Sequence, residues 1–456
     1  MDRDARRLIV SGIALLGASL PAACDSASES DETPASAAVP VAAVAVTDVD
    51  PASLAATLGL DESILRRALR ASPLPAPPPD STNRVADDPR AAELGRTLFF
   101  DPALSGTGEV SCATCHQPAL RFTDGLPLSK GVGTAGRHAP TLVDAAHHRW
   151  FNWDGRSDSM WGHSIRPIEN ADEMAGDRTA VVRRVLGDDA LRRSYEAIFG
   201  PADVDVASLP ARARPDGDPE AESAWAAMTE ADRFQVDRAV ANIGKTFAAY
   251  QRTLAGGPTR FDDWVESIRG GGNGEDVLSA SERRGLALFF GRAECWECHA
   301  GPLFSDGEFH NIGIPAPNGL PRDEGRYVGA RLVREDAFNA AGPHSDDPDG
   351  DRGIVSRGVR EDPGQWGAFR TPMLRGVGRT APYMHDGSMP DLASVLRFYS
   401  TLEGAVQLDH HQESVLTPLG LSDEELADLE AFLRTLDGGL PGLGDAPGGS
   451  GANEGR

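Results

Sequence analysis

Two pentapeptides constrain this 456-residue chain more than anything else in it: Cys112-Ala-Thr-Cys115-His116 and Cys295-Trp-Glu-Cys298-His299. In each, two cysteines three positions apart are followed at once by a histidine. The spacing suits covalent attachment of a c-type haem. Two thiols add across the vinyl groups, and the adjacent imidazole turns under the ring to bind iron. A zinc half-site with the same cysteine spacing needs a second pair of ligands. The chain has five cysteines, so a third pair does not exist. A redox C-x-x-C or a chance match accounts for one such pentapeptide far better than for two. The expectation is two covalently bound haem c groups, with His116 and His299 as proximal iron ligands.

A haem replaces part of the apolar core, so such a chain can be rich in loops. The 50 Gly, 33 Pro and 6% aromatic residues agree with that, and the length suffices for two domains. A formal net charge of −25 argues against a nucleic-acid partner. It leaves a solvated acidic surface, to which a basic redox protein could bind.

The first 24 residues read as an export signal. Arg3, Arg6 and Arg7 precede an apolar run from Leu8 to Leu20 that ends in Pro21-Ala-Ala-Cys24. Thirteen apolar residues are too few for a membrane-spanning helix and fit a signal h-region. Export to the periplasm follows, where c-type haem is attached. The fifth cysteine, Cys24, resembles a bacterial lipobox cysteine and would carry a lipid anchor, although Leu20 stands one place early. The alternative is ordinary cleavage near Ala23. Residues 25–85 are rich in Ala, Pro, Ser and Asp and read as a disordered linker holding at most one short helix, Leu54 to Leu69. Order is expected from Asp88, with Pro89 opening a helix at its first turn.

An internal repeat supports a two-domain, mostly α fold of two cytochrome-c-like haem domains. Gly95-Arg-Thr-Leu-Phe-Phe100 leads to the first pentapeptide and then to Phe122-Thr-Asp124-Gly125. Gly285-Leu-Ala-Leu-Phe-Phe290 leads to the second and then to Phe304-Ser-Asp306-Gly307. Between them Asp232 to Leu254 reads as a long amphipathic helix. Gly270 to Gly274 marks the expected junction, so the domains are 86–270 and 271–437. Residues 315–365 read as a polar surface insertion. Its run Asp346-Asp347-Pro-Asp349-Gly-Asp351 lacks EF-hand spacing and reads as a solvated acidic loop. A last helix from Ser422 to Leu436 carries a Ser422/Glu425 capping box. The Gly-rich residues 438–456 read as a disordered tail.

These motifs, with Arg137-His-Ala-Pro-Thr141, Phe151-Asn-Trp-Asp-Gly-Arg156, Gly244-Lys-Thr-Phe-Ala-Ala-Tyr250, Phe369-Arg-Thr-Pro372 and Thr380-Ala-Pro-Tyr-Met-His385-Asp-Gly387, give the chain a family resemblance. Over residues 86–436 it resembles the bacterial di-haem cytochrome c peroxidases, and their MauG-like branch most. The resemblance implies that the N-terminal haem is the peroxide site and the C-terminal haem the electron relay. It puts Glu173 at the distal acid/base carboxylate and Trp153 at the inter-haem tryptophan. His163 stands where the family commonly has Gln; it could donate to bound peroxide, add acid/base capacity or ligate the iron. The loop Ser129-Lys130-Gly-Val-Gly133 lacks the distal His of relatives that need reductive activation, so the N-terminal iron is expected to be five-coordinate. His138, His147 and His148 lie nearby in sequence, with structural roles expected.

Fourteen residues beyond His385 the peroxidase branch places a Met; here the residue is Tyr399, as in MauG. A phenolate is hard and anionic and lowers the potential of the iron it binds. Met384 and Met389 are the competing ligands. The resemblance also implies an interdomain calcium held by the carbonyls of Thr380 and Pro382, but His138 replaces the usual Asn and leaves calcium open. Three functions compete. One is a MauG-like enzyme that uses hydrogen peroxide to oxidise a protein substrate. The second is peroxide detoxification with a small cytochrome or cupredoxin as donor. The third is a non-enzymatic electron carrier, against which the missing distal His and Glu173 both argue.

Overall fold

The computed structural model describes residues 51–315, 323–406 and 416–440, with fifteen α-helices and one pair of two-residue strands among them. The sequence repeat is a structural repeat. Helix Pro89–Phe99 starts on the Asp88 side chain, with Pro at its first position. Helix Ala280–Phe290 starts on a Ser279/Glu282 capping box. Each crosses a later helix at backbone contact. A Cβ on Gly95 would stand 1.9 Å from the Thr246 carbonyl of helix Glu230–Arg252. A Cβ on Gly285 would stand 1.9 Å from the Asp428 carbonyl of helix Asp423–Arg434. Glycine is required at both positions because any side chain would drive the helices apart.

Two apolar cores follow from these crossings. Leu98, Phe99, Trp161, Ile165, Val240 and Phe247 fill the first. An aromatic cluster of Phe261, Phe289, Phe290, Phe304 and Phe432 fills the second. Strands Phe309–His310 and Phe369–Arg370 pair antiparallel. The Arg370 N–H also donates to the Trp153 carbonyl at 2.8 Å, linking the two halves.

Four expectations are corrected. The linker does not extend to residue 85. Helices Pro51–Leu58 and Glu62–Arg70 occupy it, broken at Gly59 with φ +63°. Leu65 and Ala68 are fully buried in the second core, while Thr82 and Asn83 bond to Trp161 and Lys245 of the first half. The segment is therefore a strap across both halves. Its short apolar face leaves little local signal in Ala/Pro-rich sequence, because its partners lie some 200 residues away.

The packing changes over before the expected junction at Gly270. In helix Arg260–Arg269, Phe261, Trp264, Val265 and Ile268 are buried in the second core, which moves the change-over to the Gly256-Gly257 turn. Residues 323–358 are no loose insertion: they carry helices Arg326–Glu335 and Asp351–Gly358, and Phe338 packs into the first core. In its acidic run, Asp346 pairs with Lys245 at 2.8 Å and accepts from the Arg84 N–H at 2.7 Å.

The tail is ordered at its start. The Gly438 carbonyl accepts from Arg121 at 2.6 Å, and the Gly439 carbonyl from the Gly257 N–H at 2.8 Å. The expected signal 1–24 with Cys24, the linker up to residue 50 and the tail from 441 lie outside the described residues. No helix among the described residues is long and apolar enough to cross a membrane.

Candidate active site

The two pentapeptides are held alike. Cys112–Cys115 forms one helical turn and Cys295–Glu297 a 3₁₀ turn. The F-x-D-G repeat then acquires a purpose. Phe122 and Phe304 adopt left-handed backbone with φ +57° and +53°. Their carbonyls thereby meet the Nδ1 atoms of His116, at 2.9 Å, and His299, at 2.8 Å. A carbonyl accepts only from Nδ1–H, so Nε2 keeps its lone pair free for iron. Burial lowers the pKa of both imidazoles and keeps them neutral, as a ligand must be. Burial also pushes the Cys112 and Cys295 thiols up to about 12. A redox C-x-x-C needs the opposite shift.

A cavity of about 590 Å³ opens onto the second pentapeptide. Cys295, Cys298, His299 and Tyr399 line it, with apolar walls from Phe289, Leu396 and Leu433. These walls and donors fit a haem: an apolar slot with an imidazole and a phenol to bind iron. Tyr399 comes from helix Leu392–Thr401. Burial beside Cys295 and Cys298 raises its pKa above the ordinary phenol value, and a bound cation would reverse that shift. Of the two competing methionines, Met384 lines the same cavity.

The first pentapeptide has different neighbours. Glu173 follows helix Met160–Glu169 in a tight turn, and its carboxylate accepts from Asn170 Nδ2 at 2.8 Å. Burial raises its pKa, the Arg156 charge opposes the rise, and the Cys112 and Cys115 thiols lie within its field. The Ser129–Gly133 loop lies directly on this turn. The Val132 N–H donates to the Glu173 carbonyl at 2.8 Å, and a Cβ on Gly131 would come within 2.2 Å of the same oxygen.

His163, one helical turn into Met160–Glu169, stacks on Phe151 with centroids 5.8 Å apart. Its Nδ1 is buried without a hydrogen-bond partner among the described residues. Burial, with His116 and the Arg156 charge nearby, pushes its pKa down to about 3. At pH 7 the imidazole is therefore neutral, with one ring N–H to donate and one lone pair to accept.

Trp153 donates from Nε1 to the His138 carbonyl at 2.8 Å and spans the two halves through its own carbonyl. His138 spends Nδ1 on the Leu126 carbonyl at 2.8 Å, and both ring nitrogens of His147 face carbonyls. Thr380 and Pro382 line the cavity. Among the described residues the clustered metal-binding side chains are Cys298, Asp306 and His310, with His138 not among them. Two residues of the site drew no role from the sequence: Arg156 and Arg370. The available signal was a cation set among apolar and Pro/Gly residues in each stretch.

Known proteins resemble this chain over most of its length. Residues 89–269 match the family model described as di-haem cytochrome c peroxidase, and residues 368–400 match a RoxA-like, cytochrome c-like model. The chain is 32% identical over 385 residues to the cytochrome-c peroxidase IdrP1 of Denitromonas iodatirespirans, covering 82% of this chain and 88% of that one. It is 31% identical over 350 residues to the methylamine utilization protein MauG of Methylorubrum extorquens, covering 76% and 78%. Among solved structures, a MauG-like protein associated with microbial copper homeostasis superposes with a TM-score of 0.56 at 26% identity, covering 82% and 98%. The chain belongs to the di-haem cytochrome c peroxidase family that includes MauG, and it is an oxidoreductase of that family.

Proposed function

We propose that the first pentapeptide holds the peroxide-reactive haem, that the second holds an electron-transfer haem ligated by Tyr399, and that the enzyme works in the MauG manner. When bound, the haems supply reduction of hydrogen peroxide and storage of the oxidising equivalents. The chain's residues handle the proton and the path. Glu173 takes the proton from the near oxygen of peroxide and returns it to the far one, so that water leaves. His163, neutral, orients peroxide by one hydrogen bond. Trp153 bridges the halves along the electron path, and the Tyr399 phenolate favours the oxidised state of the second site. Electrons are then withdrawn from a protein substrate, which discharges the stored oxidising equivalents.

One observation carries this reading: the two haem motifs have unlike surroundings, a carboxyl with a raised pKa beside the first and a tyrosine in the cavity of the second. EPR of the resting ferric protein tests it. One high-spin and one low-spin signal are expected. Two low-spin signals would instead make His163 an iron ligand and favour the electron-carrier reading.

A second reading keeps the chemistry and makes a small cytochrome or cupredoxin the donor. The net charge of −25 favours it through attraction to a basic partner. The chain's export to the periplasm, with a lipid anchor at Cys24, belongs to the same proposal. Release of the protein into the soluble periplasmic fraction would exclude the anchor. At the calcium position beside the carbonyls of Thr380 and Pro382, His138 offers a nitrogen where calcium prefers oxygen.

A further inference from the structure

Five arginines are buried among the described residues: Arg121, Arg178, Arg326, Arg370 and Arg375. Two are in direct ion pairs, and two lie in the field of carboxylates while donating to backbone carbonyls. Arg178 meets Glu169 and Asp237, and Arg375 grips Asp262. Arg121 feels Asp437 and Asp144, and Arg326 feels Asp154 and Glu308.

Arg370 is the exception. It is 6% exposed and lines the central cavity. Among the described residues its Nε has no hydrogen-bond partner, and Nη1 has only long contacts, 3.4 Å to His148 Nδ1 and 3.3 Å to the Thr371 carbonyl. Burial alone pushes its pKa down to about 10, with no acidic group among the described residues to offset it. Its backbone is fixed by the strand pair with Phe309 and by the bond to the Trp153 carbonyl, which roots the side chain beside the cavity.

A buried guanidinium without an anion is costly, and a fold keeps one where an anion is to be supplied. A cavity that takes a haem takes its propionates too. We propose that Arg370 is the counter-ion of a haem propionate at the junction of the two halves, and that it holds that haem's reduction potential up. The inference rests on the di-haem reading.

The test is a spectroelectrochemical titration of both haems in the holoprotein, wild type, R370K and R370Q, between pH 6 and 8. Haem content is counted beforehand by pyridine haemochrome. In R370Q the potential of one haem should fall, since loss of a nearby positive charge stabilises ferric iron. That potential should also become pH-dependent, because the released propionate now takes up a proton on reduction. R370K should stay close to wild type.

Unchanged potentials in R370Q, with two haems bound, would overturn the proposal. So would a wild-type protein in which both potentials vary with pH, a measurement that stands even if R370Q does not accumulate. A wild-type potential that moves on adding inorganic phosphate at fixed ionic strength would assign Arg370 to a free anion instead. A wild-type chain carrying fewer than two haems would sink the di-haem reading itself, which is a separate outcome.

Discussion

A carboxyl group that burial keeps protonated above its ordinary range makes a useful proton carrier when its oxygens face a reactive centre. Glu173 has that character: its pKa is raised from 4.5 by desolvation, against the pull of Arg156. To accept the peroxide proton it must be ionised. The rate of peroxide reaction should therefore rise with pH through a pKa above 4.5 and level off beyond it. Stopped-flow measurement of E173Q, both haems retained, should show a rate lower by roughly 10²–10⁴-fold, without that pH limb. An unchanged rate would pass the proton transfer to water.

Tyr399 supports a second prediction at this scale. Tyr399→Met should keep the second haem low-spin but raise its potential and shorten the life of the peroxide-oxidised protein, because a thioether is neutral and soft where a phenolate is anionic and hard. If the wild-type ferric spectrum already shows a sulfur-to-iron charge-transfer band, Met384 is the ligand and Tyr399 merely packs.

Among the helices, Arg260–Arg269 shows how one side chain can join distant segments. Asp262 closes the capping box with Thr259, accepts from Arg375 Nη1 at 2.7 Å and Nη2 at 2.9 Å, and accepts from Ser72 Oγ at 2.6 Å. The strap, the helix and the segment leading to the Thr380–Gly387 motif thus meet on one carboxylate. Although burial works against ionisation, the Arg375 guanidinium holds its pKa down to about 2. A lowered carboxylate pKa contributes stability above the ordinary value of 3.8, and that contribution is lost as pH falls towards about 2. Asp262→Asn should cost about 3–5 kcal/mol in denaturant unfolding at pH 7, since it strands a buried guanidinium. The difference from wild type should shrink as the pH is taken below 3.8. A pH-independent difference would show that the cap bond, rather than the ion pair, matters.

Across the whole molecule the strap makes the fold longer than its two haem modules. Leu65, Ala68 and Ala71 contribute to the second core. A chain shortened to begin after Ser72 would leave that core with cavities, at about 2–5 kcal/mol for a deleted Leu-sized side chain. Thermal unfolding followed by the Soret band should show a lowered midpoint for the haem in the second module. An unchanged midpoint would mean that the strap only covers surface.

The C-x-x-C-H pattern behind the proposed haem attachment, the helix starts at Asp88, Ser279 and Ser422, and the duplicated order of elements were all readable along the chain. Covalent chemistry and helix capping act between residues a few positions apart, so their signals are written locally. The reason for F-x-D-G came only with the fold, because a φ near +55° in Phe122 and Phe304 matters solely through the carbonyl it aims at a histidine. The packing of helix Arg260–Arg269 in the second core, the strap and the lack of a carboxylate beside Arg370 among the described residues came from the fold alone. Each depends on which apolar faces and charges meet across more than a hundred residues, and no local spacing records that.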